Sequence, residues 1–438
     1  MKSSRPKVLH KLAGKPLLLH VLETAQTLDC TNLQVVTGFG AEAVKEDLSE
    51  AATGFVLQEE QLGTAHAVLQ AQADLEDDAI CLVLYGDVPL IKATTLQALL
   101  DKVDADSMGV LTCDVDDPTG LGRIIRDENG QITRIVEEKD ADVDQKAVSE
   151  INTGFMAIPV NLLKGWLPRI QANNAQKDYY LTDLVELAIA DGNRVVTSLC
   201  EDQDEITGIN DRAQLAALER KYQRNMQEAL MKNGVTLADP SRVDIRGNVN
   251  IESDVAIDIN VILEGEVSIA SDVSIGAGCV LKNCIVGKGT QLHPYTVIED
   301  AVIGANCQLG PFARVRPGTE MKEASKLGNF VEVKKSVIGK GSKVNHLSYI
   351  GDAELGEGAN IGAGTITCNY DGVNKHKTQI GDGVFIGSNA VLVAPVTLEN
   401  GSFVAAGSTI TKNVDSDNLA VGRARQSNID GWTRPGKN

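Results

Sequence analysis

The chain has few aromatic side chains and no long apolar run, and these two shortages exclude several classes of protein. Phe, Tyr and Trp together make up 4% of the 438 residues, while the hydrophobic fraction is 43%. The N-terminus has no apolar signal stretch, and no run approaches the length that spans a membrane. We therefore expect no membrane insertion and a core built mainly of small aliphatic side chains.

Positive charge and paired cysteines are also scarce. The formal net charge of -19 argues against a nucleic-acid binder or a protein of anionic membrane surfaces. An anionic substrate would therefore have to be met by local cations. No Cys-x-x-Cys pair occurs, so neither a zinc site nor a disulfide framework is indicated, and we expect a reduced, cytoplasmic protein. The scattered cysteines are Cys30, Cys81, Cys113, Cys200, Cys279, Cys284, Cys307 and Cys368.

A repeat dominates the second half of the chain. Within residues 243–412 an aliphatic residue returns at every sixth position, whereas a helical face would repeat every three to four residues and an open strand every two. A short strand, a corner and the next short strand would give this spacing, so the sequence predicts a coiled parallel β-solenoid. The three runs are Ile245, Ile251, Ile257, Leu263, Ile269, Ile275 and Leu281; Ile303, Leu309, Val315, Met321, Leu327 and Val333; and Ile380, Ile386, Leu392, Leu398, Val404 and Ile410.

The period also predicts the size of the solenoid and the form of its corners. If three sides close one turn, the stretch holds roughly nine coils spaced about 4.8 Å apart, as paired strands are. Gly follows the aliphatic position in many hexads, for example at Gly276, Gly328 and Gly362. We expect these glycines to provide corner backbone angles that a residue with a Cβ atom resists.

This pattern resembles the hexapeptide-repeat acyltransferases, which implies a left-handed parallel β-helix. An inert rod or an ice-binding surface is the alternative for a bare solenoid. The polar loop at residues 367–377 interrupts the period although stacking does not need it. Because loops on a rigid scaffold commonly carry function, the interruption favours a functional site.

The first half of the chain alternates apolar runs with helical stretches, a rhythm typical of an open parallel sheet. Residues 33–36 and 80–85 are the expected strands, and the second should be buried on both faces because it is continuously apolar. Asp87 follows it and could hold a metal against phosphates, since ligands collect at the carboxyl ends of strands. A lone Asp there is more often a turn former or a helix cap.

The chain order predicts three segments. Residues 1–210 form the sheet domain, and 211–240 form a helical linker that ends near Gly234 and Pro240. Residues 241–438 form the solenoid with its tail. After Lys412 the period stops, and we expect the polar tail to be loosely held.

The first half also resembles the sugar-nucleotide pyrophosphorylases. No single stretch is specific, but the set is, and it comprises residues 5–17, 58–67, 84–90, 117–124, 135–140, 150–154 and 179–183. Four stretches of the solenoid add to this set, namely residues 311–318, 328–335, 345–351 and 360–372. Taken together, all these stretches resemble one bacterial family. Its members are bifunctional N-acetylglucosamine-1-phosphate uridyltransferases and glucosamine-1-phosphate acetyltransferases.

This resemblance implies a two-domain enzyme that makes UDP-N-acetylglucosamine for peptidoglycan and related envelope polymers. It would acetylate glucosamine 1-phosphate from acetyl-CoA first. It would then transfer uridylyl from UTP to N-acetylglucosamine 1-phosphate and expel pyrophosphate. The resemblance also implies Mg²⁺ and a homotrimer with acetyl sites between subunits.

The resemblance further implies an acetyl-transfer site around His346. An imidazole titrates near neutrality and could take a proton from the sugar ammonium, although a single His is more often structural. The implied sugar-phosphate contacts are Arg316, Lys334, Tyr349 and Asn360, and the implied acetyl-CoA contacts are Ala363, Asn369, Tyr370, Ser388, Ala406 and Arg423.

In the sheet domain the resemblance gives Asp87 and Asn210 to Mg²⁺. The residues it gives to the uridine nucleotide and sugar are Lys7, Gln58, Gly63, Thr64, Tyr85, Gly86, Asp87, Gly122, Glu137, Asn152 and Asn210. Positioning and charge neutralisation would carry most of this reaction.

One departure from the family pattern concerns the start of the chain. Members begin with an apolar strand and a Gly-rich loop that ends in Arg-Met, whereas Met1 here stands just before the Lys7 stretch. We therefore expect an incomplete uridylyl site, and an acetyltransferase alone is the main alternative function. A non-enzymatic scaffold is the alternative of another class, and the group of Arg316, Lys334, His346 and Tyr349 disfavours it.

Overall fold

The computed structural model describes residues 1–436, and the chain divides into two compact units, residues 1–222 and the residues from Gln223 onward. The boundary falls within a long helix. No helix among residues 1–436 is long and apolar enough to cross a membrane. The helices are α1 (Leu17–Gln26), α2 (Ala41–Leu48), α3 (Thr64–Ala71), α4 (Ala93–Leu100), α5 (Val143–Lys146), α6 (Val160–Trp166), α7 (Leu184–Ala190) and α8 (Arg212–Lys232), with 3₁₀ turns at Lys7–Leu9, Gln72–Asp74, Leu167–Arg169, Leu181–Asp183 and Pro240–Arg242.

The first unit is built on a mixed sheet rather than the parallel sheet expected. The strands of this unit are β1 (Lys11–Leu12), β2 (Lys15–Pro16), β3 (Gln34–Thr37), β4 (Gly54–Leu57), β5 (Ile80–Val83), β6 (Ser107–Asp114), β7 (Gly122–Arg126), β8 (Ile132–Val136), β9 (Glu150–Pro159) and β10 (Arg194–Cys200). β10 and β6 are parallel, but β9 runs antiparallel to β5, β6 and β7. The predicted alternation of strands and helices is confirmed.

Strand β5 is less buried than its continuous apolar sequence predicted. Ile80 is 42% exposed, and the next three residues are only partly covered. The strand pairs with β9, whereas β3 pairs with β4 in a separate two-stranded sheet. Residues of both β3 and β5 line a cavity of about 770 Å³. The cavity explains why β5 is not enclosed on both faces.

The second unit is the predicted parallel solenoid. Its strands are β11 (Thr236–Leu237), β12 (Val243–Ile251), β13 (Ala256–Ile257), β14 (Val261–Ile269), β15 (Ser274–Ile275), β16 (Val280–Val286), β17 (Gln291–Leu292), β18 (Val297–Ile303), β19 (Gln308–Leu309), β20 (Arg314–Val315), β21 (Thr319–Met321), β22 (Lys326–Asn329), β23 (Glu332–Lys334), β24 (Val337–Ile338), β25 (Lys343–His346), β26 (Tyr349–Gly351), β27 (Ala353–Leu355), β28 (Asn360–Ile361), β29 (Ile366–Cys368), β30 (Thr378–Ile380), β31 (Phe385–Ile386), β32 (Val391–Val393), β33 (Val396–Leu398), β34 (Phe403–Val404), β35 (Thr409–Ile410) and β36 (Leu419–Ala420). The aliphatic residues of the six-residue period fill its core.

The strands of the solenoid form three faces. One face is a ladder of eleven strands that starts with β11 and ends with β36. The other two faces join in one fifteen-stranded sheet, because β12, β14, β16 and β18 are long enough to continue around a corner. Nine of these strands, β13 to β34, lie within residues 243–412, as the nine coils expected there, and β11 and β36 add one rung at each end. The expectation of a loosely held tail after Lys412 is wrong for β36, which pairs with β34.

One coil is longer than the others and accommodates the predicted loop. Leu327 pairs with Val344 and Val344 with Ile361, an offset of 17 residues. Leu355, by contrast, pairs with Ile380, an offset of 25. Thr367 and Cys368 stay in β29 and pair with β32, so only residues 369–377 of the predicted loop leave the stack.

Most glycines after the aliphatic positions serve close packing rather than unusual backbone angles, although Gly310, after Leu309, has φ of 94°. Gly328 and Gly362 do not have positive φ values. A Cβ atom on Gly328 would lie 1.9 Å from the carbonyl oxygen of Asn345 in the next coil, and one on Gly362 would lie 2.6 Å from that of Ile386. Since each coil stacks directly on the next, only glycine fits at these positions.

Helix α8 covers the first coil of the solenoid through two buried side chains. Gln227 Nε2 donates to the Val243 carbonyl oxygen at 2.7 Å, and Gln223 Nε2 donates to the Ile245 carbonyl oxygen at 2.7 Å. The Ile245 N–H donates in return to Gln223 Oε1 at 2.9 Å. The two amides therefore take the place of a neighbouring strand along the outer edge of β12.

Candidate active sites

One corner of the solenoid carries His346 and most of the expected acetyl-CoA contacts in successive coils. The His346 carbonyl oxygen accepts from Gly364 N–H at 3.2 Å, and that of Ala363 accepts from Asn389 N–H at 2.7 Å. The Ser388 carbonyl oxygen then accepts from Gly407 N–H at 2.8 Å. At the end of this line, Arg423 Nη1 donates to the Ala406 carbonyl oxygen at 2.7 Å. The corner thus forms a track of four coil steps, each roughly 4.8 Å, that leads away from His346.

The imidazole of His346 is held by the preceding coil. His346 aligns with Asn329 in the ladder, and His346 Nδ1 lies 3.0 Å from Asn329 Oδ1. The sequence did not single out Asn329 for a role. Its only signal is position, since it stands one 17-residue coil before His346.

Three cations lie close together near the C-terminal end of β26, the strand that follows His346. Arg316 and Lys334 lie in adjacent coils, where the Arg316 N–H donates to the Val333 carbonyl oxygen. Lys375 of the loop reaches back to this place, and its ammonium, followed by the Arg316 guanidinium, lowers the pKa of Lys334. Arg316 also pairs with Glu332 at 2.7 Å. A concentration of positive charge on so acidic a chain suits a phosphate.

Tyr349 lies between His346 and the cations. A Cβ atom on Gly351 would meet the Tyr349 hydroxyl oxygen at 2.4 Å, so the ring lies along the strand over Gly351. Gly351 in turn pairs with Lys334 of the preceding coil in the fifteen-stranded sheet. The phenol therefore points towards the cationic end. Asn360 lies on the eleven-stranded face, in the rung between Lys343 and Phe385.

The loop beside the cations is fixed by polar contacts. Asn369 donates from its side-chain amide to the buried carboxylate of Asp352, while its carbonyl oxygen accepts from His376 N–H at 2.9 Å. Asp371 accepts from two backbone N–H groups of the loop and pairs with His376, which holds the pKa of Asp371 below its usual range. Tyr370 of the same loop is 59% exposed and forms a β-bridge with Lys375.

In the first unit, Lys7 joins the two residues expected to bind Mg²⁺. The Lys7 ammonium donates to the Asp87 carboxylate and, at 2.6 Å, to Asn210 Oδ1. The Asp87 carbonyl oxygen accepts from Ile209 N–H at 3.0 Å, which fixes the two segments together. The oxygens of Asp87 and Asn210 already converge on one cation, and carboxylate and amide oxygens are ligands that Mg²⁺ accepts. These residues therefore fit a Mg²⁺ site.

A second group surrounds Gly122. Gly122 pairs with Asn152, and a Cβ atom on Gly122 would lie 3.2 Å from the Glu137 carboxylate. Burial raises the pKa of Glu137, partly offset by the Thr182 hydroxyl. Tyr85 packs against Gly154, and burial raises its pKa to about 12. Glycines thus bring backbone and polar side chains into close contact here.

Asp183, which follows Thr182, was not given a role by the sequence. Burial, helped by the charges of Glu186 and Glu137, raises the pKa of Asp183 to about 6. A carboxyl group with a pKa of about 6 therefore lies next to Thr182 of this second group.

A third group lies at the start of α3. Gly63 has φ of 114° and touches the backbone of Tyr179, where a Cβ atom would lie 2.6 Å from the carbonyl oxygen. Gln58 Nε2 donates to the Gly63 carbonyl oxygen at 3.2 Å, and Thr64 Oγ1 accepts from Leu181 N–H at 3.0 Å. Gly86, which stands between β5 and Asp87, packs against Leu18. The residues expected to bind nucleotide and sugar therefore fall into three groups, around Lys7, Gly122 and Gly63.

Comparisons with known proteins agree for both units. Residues 1–172 match the MobA-like NTP transferase domain, residues 245–324 the GMPPB C-terminal domain, and residues 377–412 the bacterial transferase hexapeptide (six repeats). A bifunctional protein GlmU of Marinobacter nauticus is 51% identical over 437 residues, which cover 100% of this chain and 96% of the relative. A bifunctional protein GlmU of Cellvibrio japonicus is 53% identical over 435 residues, which cover 99% and 96%.

Proposed function

The chain belongs to the family of the bifunctional protein GlmU, and from this premise we propose how its residues divide the two reactions. It is a glucosamine-1-phosphate acetyltransferase and a UDP-N-acetylglucosamine pyrophosphorylase. The expected fold class, a nucleotidyltransferase domain followed by a parallel β-helix of hexapeptide repeats, is confirmed. The observation that carries the function is identity above 50% along essentially the whole chain, because it spans both units.

In the acetyl-transfer reaction, His346 Nε2 takes a proton from the sugar ammonium. The amine then attacks the thioester carbonyl of acetyl-CoA, and the thiolate of CoA leaves. Asn329 supports this role, since its oxygen accepts from Nδ1–H and leaves Nε2 unprotonated. No acyl-enzyme is needed, so Cys368 has no part in the chemistry.

The substrates occupy opposite sides of His346. The phosphate of glucosamine 1-phosphate binds Arg316, Lys334 and Lys375, with the Tyr349 ring beside the sugar, and Asn360 completes the sugar contacts. Acetyl-CoA lies along the corner track of Ala363, Ser388, Ala406 and Arg423, and Asn369 and Tyr370 of the loop beside the cations supply the remaining expected contacts. The elongated track suits an elongated thioester, which supports this arrangement.

In the uridylyl-transfer reaction, a phosphate oxygen of N-acetylglucosamine 1-phosphate attacks the α-phosphorus of UTP and pyrophosphate leaves. Lys7 binds nucleotide phosphate, and the groups around Gly122 and Gly63 hold the sugar and the uridine. Asp87 and Asn210 would hold Mg²⁺, which supplies charge neutralisation on the phosphates when bound. The remaining contacts are those expected from the sequence: Gln58, Thr64, Tyr85, Gly86, Glu137 and Asn152.

The protein acts as a homotrimer with the acetyl site between copies. The rings of Tyr295, Phe312 and Phe330 stack in successive coils with centroid distances of 5.1 and 5.3 Å, yet each is about half exposed. These rings follow the same corner as His346, since Leu347 N–H donates to Asn329 and Phe312 N–H to Pro294 in adjacent coils. A second copy that covers this apolar strip would also close the acetyl site.

The enzyme works in the cytoplasm, where UTP and acetyl-CoA are available. All eight cysteines are unpaired, as a reducing compartment requires.

Assaying each reaction separately on the purified chain tests the proposal. Thiol release from acetyl-CoA with glucosamine 1-phosphate measures the first reaction, and pyrophosphate release from UTP with N-acetylglucosamine 1-phosphate measures the second. Because identity to bifunctional relatives spans both units, we expect both activities, rather than the incomplete uridylyl site that the start of the sequence suggested, and a mass of three chains in sedimentation. Acetylation without pyrophosphate release would overturn the uridylyl assignment, and a monomer with full acetyl-transfer activity would overturn the shared site.

A further inference from the structure

Lys7 occupies an unusual position between the two side chains that fit Mg²⁺. Its ammonium donates to Asp87 and to Asn210 at once. The Lys7 and Asp87 side chains are 34% and 25% exposed, so the pair can exchange with ions from solvent. The Lys7 ammonium, a monovalent cation, therefore binds the same two oxygens that a divalent cation would need.

The oxygens are fixed, whereas the ammonium is on a flexible stem. Asp87 directly follows the Tyr85–Gly86 segment after β5, and Asn210 lies two residues before the start of α8. The hydrogen bond between Asp87 and Ile209 connects these two segments. Lys7 sits on a short 3₁₀ turn, and four methylene groups separate its charge from the backbone. Movement of the lysine side chain can therefore free the oxygens without moving either segment.

We propose that Lys7 is a positioning residue that acts as a resident cation, holding Asp87 and Asn210 together until nucleotide phosphate draws its ammonium away and Mg²⁺ takes its place. The proposal rests on the uridylyl-transfer function. Mg²⁺ binds oxygens at about 2.0–2.1 Å and cannot share them with an ammonium that donates to both. A phosphate offers Lys7 another anionic partner, so metal and nucleotide bind with positive coupling.

Titration with Mn²⁺ alone, followed by electron paramagnetic resonance of the free ion, tests this on the full chain without nucleotide. Lys7→Met removes the competing charge and keeps a long side chain, so we expect Mn²⁺ to bind about tenfold more tightly than in the wild type. Lys7→Arg keeps a cation and should bind Mn²⁺ as weakly as the wild type. Lys164→Met is the matched control, because Lys164 pairs with Asp77 instead.

Two further measurements complete the test. Asp87→Asn in the Lys7→Met background should abolish the tight binding, which locates the Mn²⁺. Addition of UTP should tighten Mn²⁺ binding strongly in the wild type and much less in Lys7→Met, after correction with a protein-free UTP titration. Equal or weaker Mn²⁺ binding in a folded Lys7→Met chain would overturn the proposal. Pyrophosphate release plays no part in this readout, so a failure of the uridylyl reaction would be recognised separately.

Discussion

His346 Nδ1 lies 3.0 Å from Asn329 Oδ1 in the preceding coil. An amide oxygen can only accept, so this bond requires a hydrogen on Nδ1 and leaves Nε2 with a free lone pair. The direct alignment of Asn329 with His346 means that the stacking of coils sets the orientation of the ring. The tautomer needed for a general base is thus built into the register of the solenoid.

Changing the amide to a carboxylate should change the pH dependence of acetyl transfer. Asn329→Asp places a negative charge beside Nδ1, which favours the positively charged imidazolium over the neutral ring. We expect the acid limb of the kcat profile to move to higher pH. Asn250→Asp on an early, distant coil is the control. An unchanged profile in Asn329→Asp would contradict the contact.

Removing the imidazole should suppress acetyl transfer selectively. His346→Ala eliminates the group that accepts the ammonium proton, and loss of a general base commonly costs about 10²-fold or more in rate. Thiol release from acetyl-CoA measures the loss, and pyrophosphate release in the same preparation is the internal control. A near-normal acetyl-transfer rate would refute the role given to His346.

The loop cations make a matched pair for testing phosphate binding. Lys375 interacts with Lys334, whereas Lys377, two residues on, pairs with Glu354 at 2.8 Å. Lys375→Met should raise the KM for glucosamine 1-phosphate about tenfold, since one charge-assisted contact is lost. Lys377→Met should leave that KM unchanged. Equal effects of the two substitutions would mean that general charge, not a contact, governs binding.

The Mg²⁺ ligand should matter to one reaction only. Asp87→Ala should abolish Mg²⁺-dependent pyrophosphate release, because the carboxylate is the charged ligand of the pair. Acetyl transfer should persist, since His346 and the cations lie in the other unit. Parallel assays of the two reactions decide the matter. Loss of both activities would indicate misfolding rather than loss of a metal ligand.

Asp183 should make the first unit more stable at acidic than at neutral pH. Its pKa is about 6 in the folded chain against an ordinary 3.8, so its stabilising contribution is complete below 3.8 and is lost as the pH rises through about 6. Asp183→Asn should therefore raise stability at pH 7.5 by on the order of 1 kcal/mol, a figure reduced for its partial exposure.

The fluorescence of buried Trp166 during urea unfolding can follow this change. A Trp432→Phe background removes the second tryptophan, which is exposed. Asp78→Asn, at an exposed carboxylate, is the control. A stability gain in Asp183→Asn that is the same at pH 4 and pH 7.5 would show that the carboxyl group does not titrate as expected.

The sequence predicted the solenoid well because stacking requires an aliphatic residue at every inward position. The nine coils expected within residues 243–412 are present as the nine strands from β13 to β34 of the eleven-stranded face, and β11 and β36 lie outside that stretch. The expectation of unusual corner angles was wrong for Gly328 and Gly362, whereas Gly310 has φ of 94°. Gly328 approaches Asn345 across the contact between two neighbouring coils. The six-residue pattern does not show which residue lies one coil away.

The site residues came from resemblance, and the structure adds contacts that motifs cannot show. Asn329 reaches His346 because the coil between them is 17 residues long. Lys375 reaches Lys334 because the loop of the longer coil folds back. The six-residue period did not predict a coil of 17 residues. The same limit applies to β5, whose apolar sequence predicted burial that its neighbours do not provide.

Gln223 and Gln227 have a consequence for assembly in the test tube. A parallel stack has no natural end, because the backbone groups of its outermost coil match those of any other coil. The two amides of α8 occupy the carbonyl oxygens of Val243 and Ile245 and the Ile245 N–H on β12, and so hinder lengthwise addition of another molecule at this strand. A solenoid released from α8 would present a bare strand, and we expect such molecules to join end to end into fibres.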